Sequence, residues 1–304
     1  YQSLLIPNQK IELPLLKESG VDLYIKREDL IHPLISGNKY RKLKYNLVEA
    51  IREGHSTLLT FGGAFSNHIA ATAYAGEEAG LKTIGVIRGE ELEEGWQDNP
   101  TLKLASEHGM QLHFVSRSDY RTKGTESFLD KLKMTFGDFY LLPEGGTNDL
   151  AIKGCQEILM EVDNKFDFVC CAVGTGGTLA GLINSAQPHQ KILGFPAVKG
   201  DFLRDEIKKW SADVDWDLIQ DYHFGGYAKI TAELADFINN FKQKTGIPLD
   251  PVYTGKMVFG IFDLIKKGFF NPGTQILAIH TGGLQGIKGM NQILKQKNLP
   301  LLDL

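Results

Sequence analysis

The stretch ISGNKYRKLKY, residues 35–45, places Lys39, Arg41, Lys42 and Lys44 within six positions, directly after a Ser-Gly-Asn turn. A lysine amine is a nucleophile or a base only when it carries no proton. The ordinary lysine pKa of about 10.4 makes that form scarce at neutral pH. Lowering it to ~7–8 means disfavouring the charged form by about 4 kcal/mol. Burial and a neighbouring cation both act in that direction. On a helix beginning near Asn38, Lys42 lies one turn from Lys39 and supplies such a cation. Spacing by itself still favours the ordinary reading, in which all four basic residues lie on a solvated helix face.

Four further segments combine glycines with hydroxyl or amide side chains. VGTGGTLAG follows the apolar run FDFVCCAV and opens a helical pattern. Gly174, Gly176 and Gly177 permit close approach of an anion, Thr175 and Thr178 add hydroxyls, and the helix start adds unpaired N–H groups. Leu179 stands where a dinucleotide fingerprint needs its third glycine, no acid ends the strand KILGFPAV, and Gly-Lys-Ser/Thr is absent. A smaller phosphorylated cofactor therefore fits the cradle better than a nucleotide. In FGGAFSNHIAA, Ser66 and Asn67 either cap a helix or, with its first N–H groups, hold a carboxylate. His68 read singly is structural. Tyr253 in DPVYTGK, read by itself, is core packing or a turn cap, whereas Thr281 in AIHTGG reads equally as a turn residue or as a hydroxyl facing a ligand.

The elements that must position these loops alternate. Strand patterns STLLTFGG, KTIGVIRG and QLHFVS are separated by helical patterns SNHIAATAYAGEEAG and NPTLKLASEHG. A second series runs from helix DLAIKGCQEILMEV through strand FDFVCCAVG, helix TLAGLINSAQ and strand KILGFPAV. It continues to helices ITAELADFINNFKQKTG and KMVFGIFDLIKKG and strand QILAIHTGG. Alternation of this kind predicts an α/β protein with two open, twisted, mostly parallel sheets flanked by helices. Ligands then sit beyond the carboxyl ends of the strands, where the glycine loops fall.

Composition sets outer bounds. With 304 residues, 42% hydrophobic, 23% charged and a formal net charge of −4, the chain reads as globular with no basic surface for nucleic acid. No apolar run reaches the ~20 residues of a membrane span, and YQSLLIPNQKIELPLL lacks the order of a signal peptide. Cys155, Cys170 and Cys171 are too few for a disulfide framework. Cys170 and Cys171 read as small buried hydrophobes on opposite faces of one strand, which suits a reducing cytoplasm. The His, Cys and acidic residues show no metal-ligand spacing.

Taken together, SGNKYRKL, GGAFSNH, VGTGGT, DPVYTGK and HTGG occur in the order and approximate spacing of one family. Over nearly its whole length the chain resembles the pyridoxal-phosphate enzymes 1-aminocyclopropane-1-carboxylate deaminase and D-cysteine desulfhydrase, of the tryptophan-synthase-β-like fold (fold type II). The resemblance implies that Lys39 bonds covalently to pyridoxal phosphate and later moves protons. It implies that Gly174, Thr175, Gly176, Gly177 and Thr178 bind the cofactor phosphate and that Asn67 contacts its phenolic oxygen. Ser66 would hold the substrate carboxylate and, with Tyr253, take part in catalysis. Tyr253 and Tyr227 would border the substrate, Asn67, His68 and Thr254 would also line it, and Thr281 would contact the cofactor. Relatives read Gly-Tyr-Gly-Val-Pro where this chain has GGYAK, so Tyr227 matches less closely.

Three positions discriminate within the family. Cyclopropane deaminases typically carry glutamate at the place of Thr254, leucine at that of Thr281 and glutamine at that of His68, so this chain looks like a D-cysteine desulfhydrase. The expected reaction is α,β-elimination on D-cysteine to pyruvate, ammonia and hydrogen sulfide. The alternative is cyclopropane deamination to 2-oxobutanoate and ammonia, and the expected class is lyase or, for net deamination, hydrolase. A rival of another kind, a non-catalytic anion-binding α/β protein, would leave Lys39 without a purpose. A smaller unit is expected at 42–146 within a larger one formed by 1–41 and 147–304. The family also implies a homodimer acting on a small amino acid.

Overall fold

A computed structural model describes residues 5–200, 202–212 and 214–303. Its larger sheet is built from β1 (Asn8–Lys10), β2 (Asp22–Lys26), β7 (Phe168–Val173), β8 (Lys191–Pro196), β9 (Trp216–Leu218) and β10 (Gln275–Ile279). The strand order is β1-β2-β10-β7-β8-β9, parallel except for the β1–β2 pair. The smaller sheet contains β3 (Thr57–Gly62), β4 (Lys82–Arg88), β5 (Met110–Val115) and β6 (Tyr140–Leu142). Its order is β5-β4-β3-β6, all parallel. Two mostly parallel sheets flanked by helices are the architecture the alternation implies.

Both sheets are covered on both faces, which explains their near-continuous apolar runs. All six residues of β3 are buried. In β7, Cys170 packs into one apolar cluster with Val258 and Ile261, while Cys171 packs into another with Leu179 and Leu182. The adjacent cysteines thus lie on opposite faces, free and buried.

Helix boundaries follow local chemistry. The Ser66 hydroxyl accepts the Ile69 N–H and caps Asn67–Ala79, which ends on Gly80 at φ 68°. The helix expected through DLAIKGCQEILMEV covers only Asp149–Gln156, and a 3₁₀ turn, Glu161–Asp163, follows separately. The reason is tertiary. Asp163 turns inward to an ion pair with Lys26, 2.7 Å away, and accepts the Met160 N–H. β1, β2, β6 and β9 are strands that the sequence pattern does not announce; three of these four have only three residues. The expected boundary between residues 41 and 42 falls inside the continuous helix Asn38–Arg52. No helix among the described residues is long and apolar enough to cross a membrane.

Candidate active site

The Ser-Gly-Asn turn is wedged between two loops. Gly37 has φ 63°, and a Cβ there would lie 2.0 Å from the Thr281 carbonyl oxygen. The Asn38 N–H donates to that same carbonyl at 3.3 Å. The Asn38 amide donates to Thr178 Oγ1 at 2.7 Å. The turn after β10 and the turn after β7 thereby fix the start of the Asn38–Arg52 helix, and with it Lys39.

The solvated-face reading of the basic run does not hold. Arg41 is buried and grips Glu28 through two bonds of 3.0 and 2.9 Å. Lys44 pairs with Glu157. Lys39 is half-buried and has no hydrogen bond or ion pair among the described residues. Burial, and then the positive charge of Lys42, hold its amine well below the ordinary lysine value.

Lys42 is only 1% exposed. Its amine donates to the Gly145 carbonyl at 2.9 Å, Thr147 Oγ1 at 3.0 Å and Thr175 Oγ1 at 3.4 Å. All three acceptors are neutral. A Cβ on Gly177 would stand 3.2 Å from this amine. The glycine turn therefore brings a buried cation without a carboxylate to the start of the Gly177–Ser185 helix, whose unpaired N–H groups also favour an anion. Such a place suits a phosphate. Thr175 is exposed there, whereas Thr178 is buried and accepts from Asn38.

The other expected residues divide. Gly174 faces Tyr253, whose ring carbon would lie 3.2 Å from a Cβ at that position. Tyr253 meets Tyr227 edge-on with ring centroids 6.2 Å apart. Burial, then Tyr227, push the Tyr253 hydroxyl well above the usual tyrosine range, so it stays protonated and able to donate. Asn67 is half-buried, accepts from Gln285 at 2.6 Å, and packs against Gly283. Ser66 spends one lone pair on its helix cap. These groups converge on the loops after β3, β7 and β10.

His68 and Thr254 turn elsewhere. His68 is 2% exposed, with Nε2 2.8 Å from Thr60 Oγ1. Burial, with Lys39 and Lys42 nearby, depresses its pKa strongly, so the ring is neutral. Thr254 has no exposed surface; its hydroxyl donates to Asp250 and accepts the Asp250 N–H. It staples the loop, as does the Asp250 carboxylate, which also accepts the N–H groups of Val252, Tyr253 and Thr254. Thr281 is 8% exposed and offers its carbonyl to Asn38. Sequence reading treated Lys42 only as a neighbouring charge, and it missed Asn38 and Asp250. The signal for Lys42 was its position one helical turn from Lys39, on the same side.

A family model described as pyridoxal-phosphate dependent enzyme matches residues 3–282. The chain belongs to this family. Its cofactor is pyridoxal phosphate, and a Lys39 amine without a partner among the described residues, on a helix whose start is tied to the Lys42-backed glycine turn, is a fitting set of residues for it. A Pyrococcus horikoshii protein provisionally named 1-aminocyclopropane-1-carboxylate deaminase is 35% identical over 287 residues, covering 89% of this chain and 87% of its own. The bifunctional D-cysteine desulfhydrase/1-aminocyclopropane-1-carboxylate deaminase of Arabidopsis thaliana is 32% identical, covering 88% of this chain and 74% of its own. A crystal structure described as an ACC deaminase homologue superposes with a TM-score of 0.78 at 32% identity, over 96% of this chain and 93% of that one. Membership supports lyase chemistry and not the hydrolase class expected for net deamination.

Proposed function

We propose that the chain catalyses α,β-elimination on a small D-amino acid, D-cysteine foremost, consuming water and releasing pyruvate, ammonia and hydrogen sulfide. The observation that carries this reading is the make-up of two buried positions: Thr281, a hydroxyl residue where cyclopropane deaminases typically carry leucine, and Thr254, an uncharged residue turned onto Asp250 where they typically carry glutamate. A carboxylate near the ring nitrogen favours its protonation and strengthens the ring as an electron sink. A thiolate leaves the β-carbon readily and needs less of that help than opening an unactivated cyclopropane.

The bound cofactor supplies a sink for the electron pair left at Cα. Lys39 is assigned the covalent attachment and, through its deprotonated Nζ, the removal of the α-proton. Gly174, Thr175, Gly176, Gly177 and Thr178 are assigned the phosphate, with Lys42 behind them. Asn67 is assigned the phenolic oxygen and Thr281 the ring. Ser66 and the first N–H groups of the Asn67–Ala79 helix are assigned the substrate carboxylate. Tyr253, kept protonated, and Tyr227 border the substrate. His68 supports this loop through Thr60, and Thr254 supports Tyr253 through Asp250.

The cleft between a smaller unit at 42–146 and a larger one at 1–41 and 147–304 would close over substrate and exclude water. A cytoplasmic homodimer completes the proposal. The test is a product assay on the cofactor-loaded protein with D-cysteine, L-cysteine, D-serine and 1-aminocyclopropane-1-carboxylate. Pyruvate and sulfide formed fastest from D-cysteine support the reading. Faster 2-oxobutanoate formation overturns it in favour of cyclopropane deamination, the second reading, which the names of the relatives favour.

A further inference from the structure

Lys256 lies in the first turn of the Thr254–Lys266 helix and is 1% exposed. Its amine donates to the carbonyl of His223 at 2.9 Å and to that of Gly226 at 2.8 Å. No carboxylate pairs with it among the described residues. Asp250 carries the charge that acts on it, but its oxygens are occupied by the N–H groups of its own loop and by Thr254. A buried lysine that only stabilises a fold is better served by a counter-ion, such as the one Lys26 has in Asp163 at 2.7 Å. The two carbonyls gripped by Lys256 belong to a turn with an unusual backbone. Phe224 and Ala228 are non-glycine residues at φ 53° and 55°, flanking Gly225 at 91° and Gly226 at 118°. Such residues stay in this region only where the surroundings hold them there. Phe224 is packed on Phe259, centroids 5.0 Å apart, and the Lys256 amine ties the turn down through its His223 and Gly226 carbonyls.

We infer that Lys256 is a positioning residue: by clamping the His223–Gly226 carbonyls it sets Tyr227, the next residue, against Tyr253 at the candidate site. Tyr253 is the N-cap of the helix that carries Lys256. One helix start thus places Tyr253 directly and Tyr227 through the clamp. This rests on the reading that the two tyrosines border the substrate.

A double-mutant cycle and a proteolysis assay test it. Lys256→Met is expected to lower kcat of the loaded enzyme about 10- to 100-fold, the scale of a small misplacement near the chemistry. It should add little to Tyr227→Ala, since both changes remove the same contact. Without cofactor or substrate, trypsin should cut after the exposed Lys229 roughly tenfold faster in Lys256→Met than in the parent protein, as the turn opens locally. Additive kcat losses, or an unchanged rate of cutting at Lys229, overturn the inference. Should Lys256→Met fail to fold, Lys256→Gln, which keeps an amide donor, is read against the same outcomes. If no amino acid is turned over, the functional reading fails, and the cleavage rate still decides whether the clamp exists.

Discussion

Lys26 and Lys39 are two lysines withdrawn from water in very different company. Lys26 ends β2 with no exposed surface, its amine 2.7 Å from Asp163 and 3.5 Å from the Asn8 side-chain oxygen. Lys39 opens a helix whose start is wedged between the glycine loops after β7 and β10, with no partner among the described residues and a second cation one turn away. The first arrangement keeps a charge and neutralises it locally. The second discourages the charge and leaves an amine free to react. Burial does not by itself mark a site of chemistry; the lack of an opposing charge does. Lys42 lies between these cases, a cation held by neutral acceptors and so left able to attract an anion.

The contrast can be broken first at Lys39. Lys39→Ala should reduce kcat on the best substrate by at least ~10³-fold, within the range expected for losing a positioned base. Its urea-unfolding midpoint should barely move. Turnover near the parent level would remove the role assigned to this amine. The opposite pattern is expected at the other lysine. Lys26→Met, which strands the Asp163 carboxylate, should cost about 3–5 kcal/mol in urea unfolding while leaving kcat per folded molecule unchanged. A loss of kcat without a loss of stability there would erase the distinction.

Lys42→Met sharpens the comparison. Removing a charge-assisted partner of about 1.5–3 kcal/mol should weaken pyridoxal phosphate binding roughly 10- to 100-fold, measured by absorbance titration of the apoprotein. Unchanged affinity would place the phosphate elsewhere. The smallest effect is expected from pH. Burial lowers Lys256 from 10.5 to about 8. Between about pH 8 and 10.5 the folded chain therefore binds fewer protons than the unfolded one, and stability rises with pH across that window. Comparing apoprotein unfolding at the two ends of the window, the parent should gain about 1–3 kcal/mol more than Lys256→Met. An equal gain in both would mean that this lysine keeps an ordinary pKa.

Much of this was legible in residue order. The long strands β3, β4, β7, β8 and β10 and the helices between them follow from apolar runs bounded by glycine and capping residues. Ser66 and Gly80 at the two ends of one helix are an example. The loops at the strand ends were readable for the same reason, since their glycines interrupt strong patterns. Strands of three residues are too short to establish a period, and β6 and β9 could not be read. Local pattern also misjudged the length of the Asp149–Gln156 helix, because the pull on Asp163 comes from Lys26, 137 residues away in the chain.

The sequence by itself determined the α/β alternation, the glycine loops and the presence of a lysine directly after a Ser-Gly-Asn turn. These are properties of neighbouring residues, set by side-chain period, backbone freedom and helix capping. Only the tertiary structure decided which lysine is left unpaired, which threonine hydroxyls are consumed inside their loops, and which carbonyls the Lys256 amine holds. Those outcomes depend on desolvation and on partners distant along the chain. A one-dimensional spacing rule carries no information about either.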